Sequence, residues 1–146
     1  MLEREGNLWD AEADVTVITT NAIVKANGAC VMGRGCAKEA RDTYPGIDLQ
    51  LGAAIRTHGN VPILLPQHDR LIVTFPVKAH WREAATLELI QQSSLALVQL
   101  ADEHEWESIA MPRPGCGNGR LSWEYEVSRV LDLDDRFTVY SFGKGA

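Results

Sequence analysis

The chain predicts an α/β fold: a three-layer α/β/α sandwich around a central mixed, largely parallel sheet. Three observations carry this. Short runs rich in β-branched residues recur along the chain, and segments of helical period lie between them. Two glycine-rich loops sit where a strand hands over to a helix. At 146 residues the chain has the length of about one domain and buries roughly two thirds of its unfolded surface.

Val15-Thr16-Val17-Ile18-Thr19-Thr20 reads as a buried strand, because β-branched side chains suit a pleated surface packed on both faces. The first glycine loop follows at Gly28-Ala29-Cys30-Val31-Met32-Gly33-Arg34-Gly35, and a helix is expected from Arg34 to Thr43, stopping before Pro45. A second helix runs from Gly46 to Thr57. Asn60 to Asp69, with Pro62 and Pro66, is the long irregular stretch, and Ile63-Leu64-Leu65 inside it is a candidate short strand. Leu71-Ile72-Val73-Thr74-Phe75 is a strand stopped by Pro76. Glu83 to His104 carries Leu87, Ile90, Leu97 and Ala101 at helical spacing. Ser108-Ile109-Ala110-Met111 is a strand stopped by Pro112, and the second loop follows at Pro114-Gly115-Cys116-Gly117-Asn118-Gly119-Arg120-Leu121. A last helix from Trp123 to Leu131 and a last strand from Phe137 to Phe142 complete the order. In such folds ligands bind at the carboxyl ends of the strands, where both loops and the segment around Lys78 fall.

Composition narrows the class. Hydrophobic content of 45% and charged content of 23% are those of an ordinary globular domain. No run approaches the roughly 18 apolar residues of a membrane span, and Met1-Leu2-Glu3-Arg4-Glu5 lacks the regions of a signal peptide. Cys30, Cys36 and Cys116 lack metal-ligand spacing, so reduced thiols in a cytoplasmic protein without a metal or cofactor are expected. The net charge of −6 argues against indiscriminate nucleic-acid binding. Lys25, Arg34, Lys38, Arg41, Lys78, Arg82, Arg113 and Arg120 nevertheless fall in or beside three short segments. Either these segments converge on a positive cleft that steers an anion, or the side chains are scattered in solvent.

Glycine lets backbone N–H groups approach a ligand, and beside a helix N-terminus such a loop offers unpaired amides to an anion. Two loops at equivalent strand ends suit an extended phosphate ligand such as a nucleotide diphosphate. No Gly-Lys-Ser/Thr closes either loop, so neither is a Walker A sequence. Gly33-Arg34-Gly35 lacks the third glycine of a dinucleotide fingerprint.

With their flanks, the loops resemble those of the macrodomain family of ADP-ribose-binding modules. The likeness runs through Gly6-Asn7-Leu8, Thr20-Asn21-Ala22, Val31-Met32-Gly33-Arg34-Gly35, Pro114-Gly115-Cys116-Gly117, Leu121-Ser122-Trp123 and Val139-Tyr140. Val-Met-Gly-x-Gly points to the branch of the DarG antitoxins and the terminal ADP-ribose glycohydrolases. The resemblance implies a single macrodomain over residues 1–146, either a stand-alone enzyme or one domain of a longer protein. It places Asn7 at the adenine, its amide oxygen where the family has an acidic residue, and counts Leu8 as ligand-binding. Diphosphate would lie on the amides of Val31, Met32 and Gly33 and of Gly115, Cys116, Gly117, Asn118 and Gly119, with Arg34, Gly35, Pro114 and Arg120 also counted as ligand-binding. Asn21, Asn27 and Gly28 would hold the distal ribose. Phe142 or Tyr140 would stack on adenine, with core packing favoured for Tyr140.

Phe75-Pro76-Val77-Lys78-Ala79-His80-Trp81 admits two readings from its residues: a charged cap or solvated loop, or a catalytic amine after a buried strand. It resembles the Phe-Pro-x-Lys-x-His-Trp pattern of the DarG-like branch, which implies that Lys78 is catalytic, deprotonated by burial and by cations such as Arg82. His80 is then a proton shuttle or phosphate contact. For Trp81 a buried anchor of the following helix is favoured over a platform for a base, and Cys116 reads as packing rather than as a nucleophile. Gly119 stands where the terminal glycohydrolase has an aspartate, which removes a lysine–aspartate pair. The expected activity is removal of ADP-ribose from a macromolecule, with DNA favoured, no membrane, and an ADP-ribosyltransferase toxin as a possible counterpart. The rivals are a phosphatase of ADP-ribose 1″-phosphate and a reader without turnover.

Overall fold

Alternation along two central strands places the core. The computed structural model describes residues 1–141. Its strands are β1 (Leu2–Glu5), β2 (Val15–Thr20), β3 (Leu64–Pro66), β4 (Leu71–Pro76), β5 (Ile109–Pro112) and β6 (Phe137–Ser141). The helices are α1 (Gly35–Thr43), α2 (Ile47–His58), α3 (Leu87–His104) and the short α4 (Ser128–Val130). Val15 and Val17 of β2, with Val73 and Phe75 of β4, face a core closed by Ile90, Leu97 and Ala101 of α3. Ile18 and Ile72 point the other way, into a second core with Ala37 and Ala40 of α1 and Ile47 and Leu51 of α2. One residue of register separates the two cores, because successive side chains leave opposite faces of a strand.

The strand order is β1-β6-β5-β2-β4-β3. All neighbours are parallel except β3, which runs antiparallel to β4 at the edge. Pro66, without an N–H, is tolerated there because an edge strand has one unpaired side. The parallel set brings the carboxyl ends of β1, β6, β5, β2 and β4 to one side of the sheet, in that spatial order.

Three local readings are revised by packing. β1 went unread, since Leu-Glu-Arg-Glu is fully exposed and lacks an apolar signal. It is held by pairing with β6, and the terminal amine donates to the Leu133 carbonyl at 3.0 Å. α3 begins at Leu87 rather than Glu83, because the Thr86 hydroxyl caps it by accepting from Leu89 N. The stretch before it, residues 83–86, is drawn to the second glycine loop instead, where Ala85 N donates to Gly119 O at 2.9 Å. The helix expected from Trp123 to Leu131 is a π-type turn over Trp123–Val127 followed by α4.

Candidate functional site

The carboxyl edge of the sheet opens into a cleft of about 1040 Å³. Asn7 and Leu8 follow β1, Tyr140 and Ser141 end β6, the second loop follows β5, Asn21 follows β2, and Lys78 follows β4. Strands about 4.8 Å apart make this wall, four strand steps wide, roughly 19 Å long. That suits an extended ligand lying across the strand ends.

The loops owe their shapes to side chains behind them. Asn21, 9% exposed, donates from Nδ2 to the Val31 carbonyl at 2.9 Å, and its Oδ1 accepts from Ile23 N at 3.0 Å. Asn21 therefore builds the first loop from beneath as well as lining the cleft. Val31, Met32, Gly33, Arg34 and Gly35 all line it, and Arg34 precedes α1 without a side-chain cap. The first-turn amides of α1 are left open to an anion. In the second loop Gly115, Cys116, Gly117, Asn118, Gly119 and Arg120 line the cleft. Gly115 has φ +78°, and a Cβ there would stand 2.6 Å from Ile90 Cδ1, so glycine alone fits.

Among the described residues, five cations and one carboxylate line this cleft: Arg34, Lys78, Arg82, Arg113 and Arg120 against Glu39. An acidic chain therefore carries a locally positive site, the arrangement that steers anions. Lys25, Lys38 and Arg41 are not part of its lining.

Lys78 Nζ donates to the Asn118 carbonyl at 3.3 Å. Burial, then Arg120 and Arg34, hold its ammonium below the usual lysine range. The cations responsible are Arg120 and Arg34, not Arg82 as the sequence suggested. Arg82 instead turns over the Trp81 ring, 4.7 Å from its centroid. Trp81 itself is 41% exposed and lines the cleft, contrary to a buried anchor. Three residues later the chain is still in a non-helical segment, so no helix begins close enough to cover the indole.

Several expected contacts lie elsewhere. Asn27 and Gly28 do not line the cleft. Asn27 Oδ1 accepts from Ala29 N at 3.0 Å in a local turn, and Gly28 packs its carbonyl against Gly52 of α2. Pro114 is buried behind the loop, and Cys116 Sγ donates to its carbonyl at 3.7 Å. Burial pushes the Cys116 thiol up to about 11, consistent with packing rather than nucleophilic use. His80 is also outside the lining, and its Nδ1 accepts from Arg82 N at 3.1 Å, so the ring holds the turn after Lys78. Asn7 does line the cleft, but its Oδ1 already accepts from Trp9 N at 3.0 Å, so that oxygen is engaged within the chain. Phe142 lies outside the described residues. Tyr140, expected in the core, lines the cleft, because β6 alternates Phe137 and Val139 inward and leaves Tyr140 half-buried. Arg113 was not singled out as a site residue. It lines the cleft 5.2 Å above the Trp123 ring, whose Nε1 donates to Glu3 Oε1 at 2.7 Å. Only the charge clustering hinted at it.

Fold and cleft together define an α/β/α module with an elongated, cation-lined anion site at the strand ends. The Macro domain family model matches residues 20–130, and the chain belongs to that family. A DNA ADP-ribosyl glycohydrolase of Thermus aquaticus is 30% identical over 138 residues, covering 87% of this chain and 36% of that protein. The chain thus spans about a third of that relative's length. ADP-ribose glycohydrolase OARD1 of Bos taurus is 29% identical over 117 residues, covering 77% of this chain and 75% of that protein. The macrodomain of Mycobacterium tuberculosis DarG superposes with a TM-score of 0.77 at 26% identity, covering 97% of each chain.

Proposed function

We propose that this macrodomain binds ADP-ribose along the cleft and hydrolyses the glycosidic bond joining it to a macromolecular acceptor, with DNA the favoured acceptor. The observation that carries the reading is Lys78: among the described residues the single lysine of the cleft lining, with its proton affinity lowered, at the end opposite Asn7 and Tyr140. The sheet order supplies the register. Adenine falls at the β1–β6 end, diphosphate between the two glycine loops, and the distal ribose at Lys78.

In this reading neutral Nζ attacks C1″, and the C1″–acceptor bond breaks with its electron pair passing to the acceptor. The acceptor takes a proton from water, and Nζ loses one. The resulting glycosylamine opens to an iminium, water adds at C1″, and ADP-ribose leaves as the amine is restored. Relatives named for glycohydrolase activity support the class of reaction. The enzyme that writes such a mark, an ADP-ribosyltransferase, is the counterpart activity.

The test uses a single-stranded oligonucleotide carrying ADP-ribose on one base, with wild type and Lys78→Ala. Wild type releases free ADP-ribose and intact oligonucleotide, and borohydride traps it on the protein. Lys78→Ala loses turnover on the order of 10²-fold or more while keeping ADP-ribose affinity. An undiminished rate in Lys78→Ala overturns the role of the lysine. Phosphate release from ADP-ribose 1″-phosphate alone would make the chain a phosphatase, and binding without any turnover would make it a reader.

A further inference from the structure

We infer that Arg120 is the positioning residue for Lys78: it straps the segment bearing the lysine to the second glycine loop and holds a cation in the cleft that the amine shares. The inference rests on the proposed reading of Lys78.

Three hydrogen bonds tie residues 78–85 to residues 118–120. Lys78 Nζ donates to Asn118 O at 3.3 Å, Ala85 N to Gly119 O at 2.9 Å, and Arg120 Nη2 to Arg82 O at 3.2 Å. The first fixes the amine, the second fixes the backbone behind it, and the third spans the turn between them. Two of the three use a side chain, and of these the arginine bond is the one donated from the loop side.

The backbone at Arg120 supports a selected role. Its φ is +67°, left-handed, in a loop already rich in glycine. Such a conformation is unfavourable for a non-glycine residue, and glycine would adopt it freely. An arginine held there is over-determined by its surroundings: its N donates to Gly117 O at 3.0 Å, and its guanidinium is pinned to the Arg82 carbonyl. Strain held in place at a cleft wall points to use of the side chain.

The other charged groups that share the cleft with Lys78 are Arg34 and Glu39 on the α1 side, Arg82 on its own segment, and Arg113 after β5. Arg120 precedes Arg34 among the cations that lower the proton affinity of Lys78. Arg82 spends its guanidinium on Trp81. Arg120 is therefore the cation whose removal changes both the position and the protonation of the amine.

Arg120→Gly is the test, because it keeps the left-handed turn and removes only the strap and the charge. Arg120→Lys keeps the charge and loses the planar fork. Two readouts are taken: the pH profile of turnover on the ADP-ribosylated oligonucleotide, and the titration of the Lys78 side chain by NMR in the free protein. In Arg120→Gly the acid limb of kcat and the Lys78 titration both move to higher pH, because one of the cations that disfavour the ammonium is gone. kcat at neutral pH falls about tenfold, and KM changes little. Arg120→Lys restores the titration but only part of kcat. An unmoved Lys78 titration in Arg120→Gly overturns the inference. A loss confined to KM also overturns it, making Arg120 a ligand contact only. If wild type turns nothing over, the glycohydrolase reading falls while the NMR titration still decides Arg120.

Discussion

Gly119 and Ala85 face each other so closely that a Cβ on Gly119 would stand 2.9 Å from the Ala85 Cβ. The same pair is joined through the Ala85 N to Gly119 O bond, and Ala85 is buried. The second glycine loop is thus pressed against the chain that leaves Lys78, with no room for a side chain between them. The absent aspartate at this position has a steric reason.

Gly119→Ala should therefore lose about 2 kcal/mol of stability, and Ala85→Gly should make room for it. A double-mutant cycle by urea unfolding is expected to show a favourable coupling of about 1 kcal/mol or more. Additive losses would mean that the contact relaxes without cost.

Asn7→Asp should bind ADP-ribose about 3- to 10-fold more tightly. A carboxylate keeps one oxygen on Trp9 N, as Asn7 Oδ1 does now, and offers a second acceptor where Asn7 presents NH₂. The adenine amino group then gains a partner. Calorimetry decides, and unchanged or weaker affinity would place the base away from residue 7.

Gly52→Ala should cost about 3 kcal/mol, although alanine is the better helix former by roughly 1 kcal/mol. A Cβ on Gly52 would lie 1.8 Å from the Gly28 carbonyl oxygen, and Cys30 N donates to Asp48 O at 2.9 Å beside it. The helix cannot back away without dragging the first loop. Denaturant midpoints for wild type and variant test this.

Arg136→Ala should lower stability at neutral pH by about 1 kcal/mol, after discounting for the solvent around a half-exposed carboxylate. Arg136 grips Asp134 with Nε and Nη2 at 2.9 and 2.8 Å and reaches Asp102 with Nη1 at 2.9 Å, tying the end of α3 to the turn before β6. The hydrogen bonds from Arg136 hold the Asp134 carboxyl down to about 2. Because the folded value lies below the unfolded one, this stabilisation is complete above about pH 4 and is lost as pH falls toward 2. Thermal unfolding of both proteins across that range should show the difference closing. A difference constant with pH would assign it to lost packing.

By itself the sequence determined the layers and put the glycine loops and Lys78 at the strand ends. Val15, Val17 and Ile18 encode two opposed cores through a period of two, and Leu87, Ile90, Leu97 and Ala101 encode the α3 stripe. These signals are local, so they survive without coordinates. The glycine loops and Lys78 were legible for the same reason, since both are short motifs at strand ends. Tertiary structure decided which residues face the cleft. Tyr140 and Arg113 enter it because β6 and β5 are neighbours, although 27 residues of chain separate the two positions. Asn27 and Gly28 leave it because α2 claims Gly28, and Trp81 stays exposed because α3 starts late. The Asn118 carbonyl reaches Lys78, and the Arg120 guanidinium reaches the Arg82 carbonyl, across some 40 residues. Such pairings depend on backbone closeness between distant segments, and no periodicity or local motif records that.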